Sequence, residues 1–265
     1  MSAAKPPSSE LPVERNRVAD QIFHYLKDQI LTGSHARGAK LPAERELAER
    51  YRVSIPTVRE AIRGLTTVGL VEVRHGSGAY VTASGDALIA MSLGAVIQLE
   101  GVGIAQVLQI LAILNEHAAA CACQHATAAD HARLRQAVAS LKAAATPAEA
   151  AAGVREFHRA FVTAAHNPLL SVLCGYLSDL QTELATELAE GSMKTWKRIL
   201  GGLQDLRDRL VQAIEQRERE AAIGLTREFH LKAIKLITSL PKARESGVRD
   251  PKLHSVLSSM LSRMN

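Results

Sequence analysis

The sequence predicts a mostly α-helical protein: a small unit of three helices and a β-hairpin, followed by an all-α helical bundle. Three observations carry this. Apolar residues recur at helical spacing through most of the chain. One stretch, Leu70 to Val81, instead alternates around a Gly-rich tip, as a hairpin does. Aromatics make up only 3% of the 265 residues while Ala and Leu abound, so aliphatic side chains are expected to pack helix on helix.

Residues 1–12, MSAAKPPSSELP, are expected to be a disordered lead-in, because they lack the apolar core of a secretory signal. The mixed unit is placed at 13–84 and the bundle at 85–265. Val18, Ile22, Leu26 and Ile30 form the apolar stripe of the first helix; Gly33 ends it, and Ser34 to Lys40 are a loop. A short second helix follows Pro42, with Leu47 and Ala48 inward and Glu44 and Glu46 in the first turn, where the helix dipole favours acids. Tyr51-Arg52-Val53 makes the turn. Ser54 is the N-cap of a third helix and Pro56 fits its first turn. There Val58, Ala61, Ile62 and Leu65 share one face, while Thr57, Arg59, Glu60 and Arg63 project elsewhere. Leu70 to Arg74 and Ala79 to Val81 are strands around the tip His75-Gly76-Ser77-Gly78.

Helix, helix, turn, helix and hairpin in that order make a winged helix-turn-helix. The third helix is narrow enough for a DNA major groove, where arginines on its outer face donate to guanine or to phosphate. The Gly-rich wing lets backbone approach the duplex, so that Arg74 and His75 meet its negative potential. The basic density agrees: the first 85 residues hold 12 Lys and Arg against 9 Asp and Glu, and the other 180 hold 20 against 18. The run "LPAERELAERYRVSIPTVREAIRGLTTVGLVEVRHGSGAYV" resembles the DNA-binding domain of the GntR superfamily of bacterial transcription regulators. The resemblance implies that Arg45, Thr57, Arg59 and the wing pair His75-Gly76 contact DNA. With Ser54, Arg63 and Arg74 they make up the expected DNA-facing set. One position departs: the family usually has an arginine after the serine of "VSR", and here Ile55 and Pro56 follow Ser54.

Beyond the hairpin the chain reads as six or more helices, at 100–125, 128–144, 147–165, 168–190, 195–219 and 220–240. Breaks fall at Gly101-Val102-Gly103, Thr146-Pro147, Asn167-Pro168, Gly191 and Pro241. The cysteines, Cys121, Cys123 and Cys174, form no CxxC pair, and the first two diverge by about 200° on a helix, so they are expected to be free thiols. No run of 18 apolar residues exists, and the expectation is a cytoplasmic protein.

"VREFHRAFVTAAHNPLLSVL" and "LRDRLVQAIEQREREAAIGLTREFHLKAI" resemble the FCD domain, the helical effector domain of the FadR subfamily. Many such domains hold a divalent metal with one Asp and three His. Carried over by motif, the chain keeps His158 and His230 but has Val154 in place of the Asp and Arg207 in place of the middle His. The family's Arg four residues before a Glu corresponds to Ala112 before Glu116. Two of four ligands are replaced, one by a cation, so no tight metal and no other cofactor is expected. Instead His158, Arg207 and His230 are the expected effector site, with Arg207 making a two-pronged contact to a carboxylate or phosphate. Alternatively, Arg207 is an exposed helix residue paired with Glu183 or Asp208.

No catalytic signature (GxSxG, a Gly-rich phosphate loop, HExxH) is present. The expected function is thus a ligand-responsive regulator, by family habit a repressor, binding a palindromic operator as a homodimer. Two other classes stand beside it: an architectural DNA-binding protein without effector response, and a metal-dependent hydrolase built on His158 and His230.

Overall fold

The computed structural model describes residues 13–82 and 85–240. The expected disordered lead-in at 1–12 lies outside the described residues, as do 241–265. The chain divides into two compact units, the first reaching Leu88 and the second beginning at Ile89.

The first unit holds α1 (Val13–Leu31), α2 (Glu44–Tyr51), α3 (Ile55–Thr67), β1 (Val71–Arg74) and β2 (Gly78–Val81). Ala19, Ile22, Leu26 and Ile30 are the buried stripe of α1. Val18 is 38% exposed, which corrects the first member of the expected stripe. Three strict steps of four drift off a 3.6-residue period, whereas 19, 22, 26 and 30 stay on one face. Leu47 and Ala48 of α2 and Val58, Ala61, Ile62 and Leu65 of α3 complete the core with Leu41, Leu70, Val71, Ala79 and Val81. At the crossing of α1 and α3, a Cβ on Gly64 would stand 3.0 Å from a ring carbon of Phe23, so glycine is what lets the two helices close.

Ser54 caps α3 as expected, its Oγ accepting from the Thr57 amide at 3.4 Å and lying 2.7 Å from the Thr57 hydroxyl. Between α2 and α3, Arg52 is left-handed at φ 55° and its amide bonds the Ala48 and Glu49 carbonyls. The hairpin is antiparallel, with Val71 opposite Val81 and Arg74 opposite Gly78. The loop before α2 also joins it: Leu41 N–H donates to the Ala79 carbonyl, and Val81 N–H to that of Ala39.

The second element group is α4 (Gly85–Leu99), α5 (Ile104–His125), α6 (Ala128–Ala143), α7 (Pro147–Thr163), α8 (Pro168–Ala189), α9 (Met193–Glu215) and α10 (Arg219–Thr238). Helix α4 was not among the expected segments; it contains the unit boundary. Thr127, Thr146, Asn167 and Ser192 each accept an amide hydrogen bond as N-caps, so most helices start where their sequence signals stand. In the second unit α10 packs on α5 and α9, and α7 lies between α6 and α8. The core is aliphatic and alanine-rich, with Phe157, Phe161, Tyr176, Trp196 and Phe229 as its large rings. Cys123 and Cys174 are buried free thiols, and Cys121 is half-buried. Among the described residues, no helix is long and apolar enough to cross a membrane.

Candidate functional site

Two places in the molecule gather the expected site residues. In the first unit, Arg45, Ser54, Arg59, Arg63, Arg74, His75 and Gly76 are exposed, and Thr57 is half-buried. Most of the arginines are paired locally. Arg59 on α3 grips Glu44 on α2: Nε donates at 3.1 Å and Nη2 at 2.8 Å to one carboxylate oxygen. Arg45 pairs with Glu49 at 3.3 Å, one turn along α2. Arg74 pairs with Glu72 at 3.3 Å and lies 4.6 Å from the centre of the Tyr80 ring, whose hydroxyl is 2.7 Å from that of Ser77. Arg63 makes no ion pair among the described residues. The wing tip turns at Gly76, whose φ of 69° is left-handed and open to glycine at no steric cost. Ile55, where the family resemblance expects arginine, is 39% exposed at the start of α3. Its apolar side chain has nothing to donate to a guanine.

The sequence reading missed Glu44 as the partner of Arg59. It read that residue as a first-turn acid only, because a contact between helices 15 residues apart leaves no local signal. It also missed the loop residue Lys40, which bridges to Tyr80 and runs its side chain beside Gly78.

In the helical unit, α7, α8, α9 and α10 enclose a cavity of about 30 Å³, lined among others by Val154, His158, Gln181, Trp196, Arg207 and Phe229. Arg207 is 1% exposed, so the alternative of an exposed helix residue is overturned. The carboxylates suggested for it are engaged elsewhere: Glu183 accepts from Arg155 at 2.7 Å and Asp208 from Lys142 at 2.9 Å. Its guanidinium carbon lies 5.8 Å from the centre of the Phe157 ring and 5.3 Å from that of Phe229, and Nη1 donates to the Leu200 carbonyl at 3.1 Å. Arg207 Nε has no hydrogen-bond partner among the described residues. Burial pulls its pKa down to about 10, which still leaves it charged at neutral pH.

His158 donates from Nδ1 to the Val154 carbonyl at 3.0 Å, because a carbonyl can only accept. Its Nε2 then carries the lone pair, and that atom finds no partner among the described residues. Burial first, then His230 and Arg207, push the His158 pKa down to about 3, so the ring is neutral. His230 is off the cavity wall. Its Nε2 lies 2.9 Å from the side-chain amide of Asn115, and burial pulls its pKa down to about 4. The structure thus brings two of the three expected effector residues to one cavity and adds Trp196 and Gln181, whose Nε1 and Oε1 are buried without partners among the described residues.

These residues do not fit a divalent ion. One imidazole lone pair faces the cavity, Val154 offers no carboxylate, and a guanidinium occupies the wall where a third ligand would be. Among the described residues no three His, Cys, Asp or Glu side chains converge.

Comparison with known proteins agrees with this two-part layout. The gntR family of bacterial regulatory proteins matches residues 18–81, and the FCD domain matches residues 106–198. The Uxu operon transcriptional regulator of Escherichia coli (strain K12) is 34% identical over 165 residues, 58% of this chain and 61% of that one. LutR of Bacillus subtilis (strain 168), an HTH-type transcriptional regulator, is 28% identical over 188 residues, 70% of this chain and 85% of that one. Mce2R of Mycobacterium tuberculosis is 48% identical over 65 residues, 24% of this chain, and the match spans only 27% of its own length. Among solved structures, Streptococcus agalactiae GntR shares the fold, with a TM-score of 0.64 at 23% identity, covering 82% of this chain and 99% of that one. The two family matches cover the wing-bearing unit and the front of the helical one, and the family they define is one of regulators rather than enzymes. The chain belongs to the GntR family as a helix-turn-helix regulator with an FCD domain, the architecture of the FadR subfamily.

Proposed function

We propose that this regulator is a cytoplasmic repressor that binds a palindromic operator as a homodimer and changes its DNA affinity when a small anion enters the Arg207 cavity. The observation that carries the ligand response is the buried guanidinium of Arg207, whose Nε has no hydrogen-bond partner among the described residues and whose nearby carboxylate, Asp208, is itself paired with Lys142. A buried guanidinium with an open donor costs stability, and an anionic ligand would offset that cost. For the DNA part, the support is the exposed row of Arg59 and Arg63 on α3 with Arg74, His75 and Gly76 on the wing. The exposed Ile55 suits a thymine methyl better than a guanine edge, so the operator is expected to differ there from one read by arginine.

The test is a selection of genomic fragments by the full chain at fixed salt. The expected result is a shared palindrome whose half-sites lie about one helical turn, 10–10.5 base pairs, apart. It should be bound at least about a thousandfold more tightly than random sequence. Fragments without a common motif, released steeply by salt, would make the protein architectural instead.

A further inference from the structure

We propose that the outer face of α5 carries half of a zinc site, His117 and Cys121, and that a second copy of this chain completes it as a tetrahedral centre of two Cys and two His. This rests on the homodimer reading.

His117 and Cys121 stand one turn apart on α5, so their side chains share a face. His117 is exposed and Cys121 half-buried, and His117 Nε2 lies 3.5 Å from Cys121 Sγ. Zinc bonds of about 2.3 Å to sulfur and 2.0–2.1 Å to imidazole nitrogen, opened to a tetrahedral angle, hold two such ligands about 3.5 Å apart. The pair therefore has the spacing of one edge of the tetrahedron.

One chain supplies only that edge. Among the described residues no three His, Cys, Asp or Glu side chains converge, whereas a structural zinc site takes four ligands. The neighbours on α5 are placed otherwise. Cys123 is buried, its thiol directed at the Ala213 carbonyl. Glu116 accepts from Arg227 with both carboxylate oxygens, at 3.0 and 2.7 Å. His125 is exposed but eight residues from His117, about 12 Å along the axis, too far for both to reach one ion.

A two-fold contact supplies the missing edge, because each partner brings the same residues to it. At about 100° per residue, Ile110, Ile113, His117 and Cys121 fall within an arc of about 80° on α5. Both isoleucines are exposed, so the surface beside the half-site is apolar and able to exclude water from the bound ion. Each Cys121 thiol gives up its proton as the metal binds, and the two thiolates offset the charge of the divalent ion. Zinc bound between two copies stabilises the dimer by mass action.

The untagged full chain, kept reduced with a phosphine, is titrated with cobalt(II), which takes tetrahedral sites of these donors and, unlike zinc, absorbs visible light. About half an equivalent per chain should bind, with the visible bands of tetrahedral cobalt and a near-ultraviolet thiolate-to-cobalt band, and zinc should bleach both. Cys121→Ser and His117→Gln should each abolish the bands, and His125→Gln should keep them. In sedimentation equilibrium, zinc should lower the dimer dissociation constant at least about tenfold for the parent and leave that of Cys121→Ser unchanged. An ion at His158 and His230 would show no thiolate band, so that spectrum overturns the proposal, as does one cobalt per chain. Loss of the bands in His125→Gln but not in His117→Gln overturns the ligand assignment. A dimer that takes no metal overturns the zinc site and leaves the homodimer reading intact. A chain that stays monomeric with and without zinc overturns both.

Discussion

If Arg59 contacts DNA it arrives already held, since its Nε–H and one Nη2–H are taken by Glu44 and three N–H groups, two on Nη1 and one on Nη2, are left to reach outward. The pair is half-exposed and contributes little to stability, because surface ion pairs are screened and entropically costly. Its expected use is positional: a long side chain fixed across α2 and α3 presents its remaining N–H groups in a fixed plane instead of sweeping for the nearest phosphate. Arg59→Ala should weaken specific binding by about 1–3 kcal/mol, roughly a 5- to 150-fold loss at fixed salt. Glu44→Gln should act differently. It removes a negative charge near the duplex and frees the guanidinium, so binding to random DNA should rise while the preference for the operator falls. Equilibrium binding to selected and scrambled duplexes at two salt concentrations separates the two effects. A parallel loss on both duplexes would mean that Glu44 merely supports the fold. None of this was legible in the sequence, where Glu44 is one of two acids at a helix start. Arg59 itself was legible, since it sits off the apolar face of an evident helix.

Helices of the second unit were readable wherever the chain marks its breaks chemically. Thr146-Pro147, Asn167-Pro168 and Gly191 each precede a helix with a capped or proline-fitted start, and the expected segments fall within a few residues of the observed ones. Helix α4 went unread because "GDALIAMSLGAVIQL" is apolar almost throughout and carries no clear stripe. The cavity was only half legible: motif spacing pointed to His158 and Arg207, but Trp196 and Gln181 reach the same space from different helices with no pattern to announce it. Helix α9 contributes most to that wall and also holds its adjacent glycines. Gly201 is exposed, and an added Cβ would meet nothing within 4 Å. Gly201→Ala should therefore stabilise the protein by about 0.5–1 kcal/mol through helix propensity alone. At Gly202 the Cβ would stand 2.9 Å from a Leu236 methyl, so Gly202→Ala should gain less. Thermal melts followed by helical circular dichroism give the order.

A single winged helix reaches only one half-site, so the proposed palindromic operator would need two of them. The helical unit offers surface for that. Ile110 and Ile113 on α5 are 54% and 64% exposed, and Leu231 on α10, which packs beside α5, is 57% exposed. Scattered apolar residues are ordinary on a protein surface, but three large aliphatic side chains on two adjoining helices are what a second copy would cover. Both partners of such a two-fold contact bring the same residues, so a charge introduced at one position appears twice in the interface and repels itself. The full chain should scatter light as a species of twice the chain mass at micromolar concentration. Ile113→Glu should shift it to monomer while leaving helix content unchanged, since the side chain is outside the core. The monomer should still bind a single half-site but lose the palindrome's advantage, because the second recognition helix no longer arrives on the same body and its local concentration falls. A variant that remains a dimer would move the interface away from α5 and α10. A monomeric parent chain that nonetheless protects a full palindrome would mean that DNA, not the helical unit, brings the two copies together.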